Sequence, residues 1–296
     1  MTAVIEVEHL TKRYRGTTAV DDVNFTIESN TICGLLGRNG AGKSTLMNLL
    51  TGQEFATSGS ARVLGANPLE NPAVLEQLCF VKESQRYPDD LTAGQLLRTA
   101  RHFYPRWDAD YVDELVEEFR LPLNRAVKKL SRGQRSSVGV IIGLAARAPI
   151  TIFDEPYLGL DAVARQAFYD RLLADYAENP RTILLSTHLI DEVADLLEHA
   201  IVIDGGRILM NDAVDALRTA AATFTGTAKV VEPLIAGRAV VHSQSLGSTL
   251  AVTLADVTDD DRAAARGAGL SVDPVSLQQL IIHRSRSGAP IEEVSR

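Results

Sequence analysis

GRNGAGKST, residues 37–45, decides how the rest of the chain is read. Gly37 is followed by four residues and then by Gly42-Lys43-Ser44, directly after the apolar run Ile32-Cys33-Gly34-Leu35-Leu36. A buried strand that opens into a glycine-rich turn, with a helix starting at Thr45-Leu46-Met47, is the pattern of a phosphate-binding loop. Glycines let backbone N–H groups turn onto phosphate oxygens, Lys43 supplies a point charge for the outer phosphates, and the Ser44 hydroxyl is offered to Mg²⁺. Gly37, Arg38, Asn39, Gly40, Ala41, Gly42, Lys43, Ser44 and Thr45 are therefore expected to hold the phosphates of a nucleotide.

Two further apolar runs, at 150–153 and 183–185, are also followed by polar residues and a helical pattern. Continuous apolar strands alternating with helices predict a parallel sheet buried on both faces. The first 30 residues differ. Ile5 and Val7 alternate with Glu6 and Glu8, and Val23, Phe25 and Ile27 with Asn24, Thr26 and Glu28, which predicts a half-buried antiparallel edge sheet. Residues from about 84 to 148 form a mostly helical insertion. Its clearest helix has Tyr111, Val112, Leu115, Val116 and Phe119 on one face and Asp113, Glu114, Glu117 and Glu118 opposite. Ile201-Val202-Ile203 and Ile208-Leu209 flank Gly205-Gly206, a hairpin signal that closes the core. Two domains are expected: 1–211, and a small α/β appendix over 212–296. In the appendix, strands are expected at Thr227–Val231, Ala239–His242 and Thr249–Leu254, an Asp run at 259–261 precedes an Ala-rich helix, and Ser285–Arg296 is expected as a loose tail.

Ile150-Thr151-Ile152-Phe153-Asp154-Glu155-Pro156 is an apolar strand ending in two carboxylates. Combined with a phosphate loop, this places Asp154 near the metal and leaves Glu155 to orient and polarise an attacking water. Leu130-Ser131-Arg132-Gly133-Gln134 precedes the apolar helix 137–146. Ser131 can cap that helix, whose N-terminus then presents N–H groups and a positive dipole to an anion.

Phosphate loop, LSxGQ-like segment and DEP strand, in this order, resemble the ATP-binding subunit of ABC transporters over roughly residues 3–211. The resemblance implies a P-loop (RecA-like) parallel core, an antiparallel β edge subdomain and a helical signature subdomain, together with an ATPase activity using ATP and Mg²⁺. It also implies head-to-tail dimers in which Ser131, Gly133 and Gln134 contact the ATP held by the opposite subunit. By position, Tyr14 resembles the aromatic that stacks on adenine, His188 in Ser186-Thr187-His188 the switch histidine that senses the γ-phosphate, and Asp161 in Leu158-Gly159-Leu160-Asp161 the acid that links the two sites. Lys43, Glu155 and His188 become the catalytic set, and Ser44, Asp154 and Glu83 the metal set. Three positions depart from the family pattern: Glu83 stands where glutamine is usual, with Gln85 as rival, Arg132 replaces a glycine, and Tyr157 replaces a threonine or serine. Val81-Lys82-Glu83, Tyr104-Pro105-Arg106-Trp107-Asp108 and the appendix resemble ATPases of bacterial drug-export-like systems of the bacitracin and acetoin-linked type.

The bulk properties agree with this expectation. In 296 residues, 45% hydrophobic and 23% charged, no apolar stretch approaches the length of a membrane span. Transport therefore requires separately encoded transmembrane permease subunits, and the expected location is cytoplasmic, on the inner face of the bacterial membrane, as a homodimer or a heterodimer with a related ATPase. A net charge of −8 argues against a nucleic-acid partner. The alternative is a soluble ABC ATPase acting on the ribosome or DNA. Translation-type members carry two cassettes and DNA-repair members long coiled coils, whereas this chain shows one cassette and no long heptad run.

Overall fold

A computed structural model describes residues 2–83, 85–238 and 240–287. The chain divides into two compact units, Met1–His188 with Ile203–Ile208, and Leu189–Val202 with Leu209–Arg296.

In the first unit, β1 (Ala3–Tyr14) and β2 (Thr17–Glu28) pair antiparallel, with Val7 opposite Phe25 and Leu10 opposite Val23, all buried. Strand β4 (Ser58–Val63) completes the expected edge sheet in the order β2-β1-β4. The apolar runs form β3 (Ile32–Leu36), β5 (Leu78–Val81), β6 (Ile150–Asp154) and β7 (Thr182–Thr187). Nearly every residue of these four is buried, and they pair parallel in the order β5-β6-β7-β3. Strands β8 (His199–Asp204) and β9 (Arg207–Ala213) flank Gly205 and Gly206, both left-handed as a tight hairpin turn requires.

Register places the site. Leu36 lies opposite Thr187, and Asp154 opposite Ser186. Residues 37, 155 and 188 therefore leave adjacent parallel strands at the same carboxyl edge, where open α/β sheets bind ligands. Between β5 and β6 lie helices Ala93–Ala100, Ala109–Glu118 and Arg132–Ala145. In the second of these, Tyr111, Val112 and Leu115 are buried, as the apolar stripe predicts. The start expected for this insertion, Ser84, lies outside the described residues.

The second unit contains β10 (Ala222–Thr227), helix Ala228–Ile235, β11 (Val240–Leu246), β12 (Thr249–Leu254), helix Asp259–Gly267 and β13 (Ser271–Pro274). The sheet order β11-β12-β10-β13, with every neighbour antiparallel, is the split βαβ arrangement of a ferredoxin-like fold. Its core is Ala222, Phe224, Val231, Val252, Leu254, Val257, Ala265 and Leu270.

Here the structure corrects three expectations. Thr227–Val231 is not a strand: the strand ends at Thr227 and a helix follows. Inward Ala222 and Phe224 set the strand's period, whereas Val231, Leu234 and Ile235 return to the core at helical spacing. The Asp run does not precede a helix but forms its first turn, where three carboxylates favour the N-terminal dipole and Thr258 caps. Residues 285–287 of the expected tail belong to helix Leu277–Ser287. Its remainder, and Ala239 at the start of an expected strand, lie outside the described residues.

Candidate active site

The phosphate loop joins fully buried β3 to helix Lys43–Leu50. Gly40 and Gly42 have φ of +81° and +113°, and a methyl group on Gly42 would come 2.4 Å from the Ala19 carbonyl oxygen. Only glycine meets both conditions. No side chain caps the helix that Gly42 opens, which leaves its first amides for an anion. The buried Lys43 Nζ donates to the carbonyls of Gly37 (2.8 Å) and Arg38 (3.2 Å) and lies 3.3 Å from Glu155 Oε1. Asn39, Gly40, Gly42, Lys43, Ser44, Thr45, Glu83 and Glu155 line one pocket.

At the end of β6, Asp154 and Glu155 are both buried. The Ser186 hydroxyl donates to Asp154 Oδ1 (2.7 Å) and accepts from the Glu155 amide (3.0 Å), so β7 fixes the direction of both acids. Glu155 has φ +49°, a left-handed conformation uncommon for a side chain of this size. Its Oε2 accepts from the Tyr157 hydroxyl and lies 2.8 Å from His188 Nδ1. The phenol of Tyr157 is held protonated, its pKa pushed up first by burial and then by the hydrogen bond to Glu155.

Ser44, Asp154 and Glu83 offer a hydroxyl and two carboxylates. No cluster of three or more His, Cys, Asp or Glu side chains suited to a metal occurs among the described residues. Such a sparse, oxygen-only set fits Mg²⁺, which keeps most of its shell for water and substrate phosphates. Bound there, Mg²⁺ would neutralise charge on the transferred phosphate. Glu83 lines the phosphate pocket and lies 3.9 Å from Arg132, whereas the Gln85 amide turns to the Arg86 carbonyl (3.4 Å).

The signature residues gather elsewhere. Ser131 caps helix Arg132–Ala145 in a reciprocal pair with Gln134, each backbone N–H donating to the other's side chain at 3.1 Å. A methyl group on Gly133 would come 2.6 Å from the Gly159 carbonyl, and Ser136 donates to the Leu158 carbonyl (2.5 Å). The signature helix is thus docked on the Leu158–Asp161 loop, whose Asp161 caps helix Ala162–Glu178 through the Ala164 amide (2.8 Å). None of Ser131, Gly133, Gln134 or Asp161 is among the residues lining the pocket of Lys43. The Tyr14 hydroxyl donates to Glu54, Lys12 Nζ stands 5.0 Å over its ring, and the residue is 44% exposed. Sequence reasoning marked Tyr157 only as a departure and gave Ser186 no role of its own. Both act through contacts between strand ends that local spacing does not encode.

The family profile described as ABC transporter matches residues 20–158. The ABC transporter ATP-binding protein YtrB of Bacillus subtilis (strain 168) is 32% identical over 190 residues, covering 64% of this chain and 65% of that protein. The bacitracin transport ATP-binding protein BcrA of Bacillus licheniformis is 29% identical over 221 residues, covering 74% and 72%. The Nod factor export ATP-binding protein I of Cupriavidus metallidurans (strain ATCC 43123 / DSM 2839 / NBRC 102507 / CH34) is 31% identical over 213 residues, covering 70% of each. A solved ATP-binding subunit of an ABC transporter superposes with a TM-score of 0.66 at 28% identity, over 73% of this chain and 92% of that one. With the phosphate loop, the acidic strand end and the docked signature helix in place, the chain belongs to the ABC transporter family, among its ATP-binding subunits.

Proposed function

We propose that the chain is the ATP-hydrolysing subunit of an exporter and drives separately encoded transmembrane permeases. The observation that supports this most is the meeting of Lys43, Asp154, Glu155 and His188 at one edge of the parallel sheet. Lys43 and the loop amides bind the phosphates, with Ser44, Asp154 and Glu83 around Mg²⁺. Glu155 polarises the water, His188 senses the γ-phosphate and Tyr14 stacks on adenine. The signature residues stand outside the pocket of Lys43. That placement supports a head-to-tail dimer around two ATP·Mg²⁺, in which they reach the nucleotide of a second copy or a related subunit. Among the described residues no helix is long and apolar enough to cross a membrane. The chain then works at the inner face of the membrane through its partner. The stretch from about 84 to 107 is where the permease docks, and Phe103, 69% exposed, is apolar surface for that contact. The relatives named for bacitracin transport and Nod factor export favour export over the ribosome or DNA reading.

Glu155→Gln tests the reading. ATP binding should persist while turnover falls by at least about a hundredfold, because an amide cannot take up a proton as a carboxylate does. Binding is measured by fluorescent-nucleotide titration and turnover by phosphate release. A wild-type rate in Glu155→Gln would remove Glu155 from catalysis.

A further inference from the structure

Tyr157 is 2% exposed, and its hydroxyl has more polar neighbours than a phenol kept only for packing would gather. It donates to Glu155 Oε2, accepts from the Thr187 hydroxyl (2.8 Å) and from the His188 amide (3.2 Å), and lies 3.2 Å from His188 Nδ1. One donor and two acceptor positions are all a phenol has, and this arrangement uses every one. His188 Nδ1 lies 2.8 Å from the same Oε2, so that oxygen is held from two sides. The other oxygen, Oε1, is buried and makes no hydrogen bond, with Lys43 Nζ 3.3 Å away. The backbone of Glu155 is pinned as well, through its amide on Ser186 and its left-handed φ.

A carboxylate tied by Tyr157 and His188 at one oxygen, with the other facing only the Lys43 ammonium of the phosphate loop, has a set direction. We infer that Tyr157 is a positioning residue for ATP hydrolysis: its hydroxyl binds Glu155 Oε2 to the His188 turn, so that Oε1 is the oxygen presented to the attacking water. The inference rests on the reading of Glu155 as the residue that polarises this water. In that step the water oxygen bonds to the γ-phosphorus, the bond from phosphorus to the bridging oxygen of ADP breaks, and a water proton passes to Oε1. Tyr157 keeps its own proton. Its contribution is to fix the geometry before the reaction begins, which lowers the reorganisation the step requires. A threonine or serine at this position would carry its hydroxyl next to the backbone, and only the length of the phenol spans from there to both Glu155 and His188.

Tyr157→Phe in the full chain keeps the ring and removes the hydroxyl. With saturating Mg²⁺, kcat should fall about tenfold, the scale of one hydrogen bond to a charged group, while KM for ATP stays at the wild-type value. Combined with His188→Ala, Tyr157→Phe should add little further loss, because the two act on the same oxygen. Should Tyr157→Phe fail to fold, Thr187→Val, which removes a hydroxyl holding the phenol, carries the same expectation of reduced kcat at constant KM. Unchanged kcat in a folded Tyr157→Phe, a loss confined to KM, or losses fully additive with His188→Ala would overturn the inference. A Glu155→Gln control separates the two readings. If it is inactive while Tyr157→Phe is fully active, only the positioning role fails, and if it is itself active, the catalytic assignment fails first.

Discussion

Glu83 shares a pocket with Lys43, Ser44 and Glu155, and its carboxylate lies 3.9 Å from the Arg132 guanidinium. Two of the three departures from the family pattern thus stand opposite each other with opposite charges. A carboxylate beside a triphosphate repels it unless a cation lies between, whereas an amide does not. Glu83→Gln should therefore tighten ATP binding measured without Mg²⁺ several-fold and shift the Mg²⁺ concentration for half-maximal hydrolysis. Gln85→Ala, whose amide faces the Arg86 carbonyl, should change neither. Titrations of both variants with and without Mg²⁺ check this, and a shift confined to Gln85→Ala would assign the position to Gln85. Lys43, Ser44, Asp154 and Glu155 could be read from sequence because each sits at a fixed offset from a strand end, and an offset is a local property. The Tyr157 hydroxyl could not: its partners at 155, 187 and 188 come from two strands whose pairing register only the fold supplies.

Among the elements, the clearest contrast is between two capped helices. Ser131 is legible as a cap because it stands directly before the apolar helix, and the structure adds Gln134 as its reciprocal partner. Thr258 and Asp261 make the same reciprocal box, yet the surrounding Asp run gave no boundary, since three consecutive acids suit a loop as well as a first turn. Arg238 adds what the sequence hides. Its guanidinium meets the Asp261 carboxylate at 2.8 and 3.0 Å and, ahead of the Thr258 contacts, depresses its pKa from 3.8 to about 2. A carboxylate depressed on folding stabilises the native state above its unfolded pKa, and that contribution is lost as pH falls through the folded value. The second unit should therefore lose stability as pH drops from about 4 towards 2. Asp261→Asn should be less stable at neutral pH and show a flatter acid limb. Thr258→Ala should cost about 1 kcal/mol at neutral pH. Urea unfolding followed by circular dichroism at several pH values reads both, and an acid limb unchanged in Asp261→Asn would show the pair to be inert.

At the scale of the whole chain, the compact units part at three places, after His188, Val202 and Ile208. Leu189–Val202 groups with the C-terminal residues, and helix Ile190–Val193 packs with helix Leu277–Ser287 inside that unit. Such an assignment is hidden from a linear reading, because 189–202 lies inside the stretch that resembles the family while its packing partners lie some 80 residues further on. The consequence concerns His188, which is peptide-bonded to the first residue of the second unit. Every residue matched to the ATP site lies at or before His188, so damage to the second unit should spare ATP binding. Among the described side chains of the C-terminal helix, Leu277, Leu280 and Ile281 are buried, and Leu280 is 3% exposed. Leu280→Ala should cost about 2–5 kcal/mol through lost burial and the cavity left behind. That loosens the packing partner of Ile190–Val193 without touching a site residue. The expected result is a lower melting temperature, with turnover and the Kd for ATP unchanged. Differential scanning calorimetry, phosphate release and nucleotide titration on the same preparation distinguish the cases. A loss of turnover or of ATP affinity in a folded Leu280→Ala would mean that the nucleotide chemistry depends on the second unit.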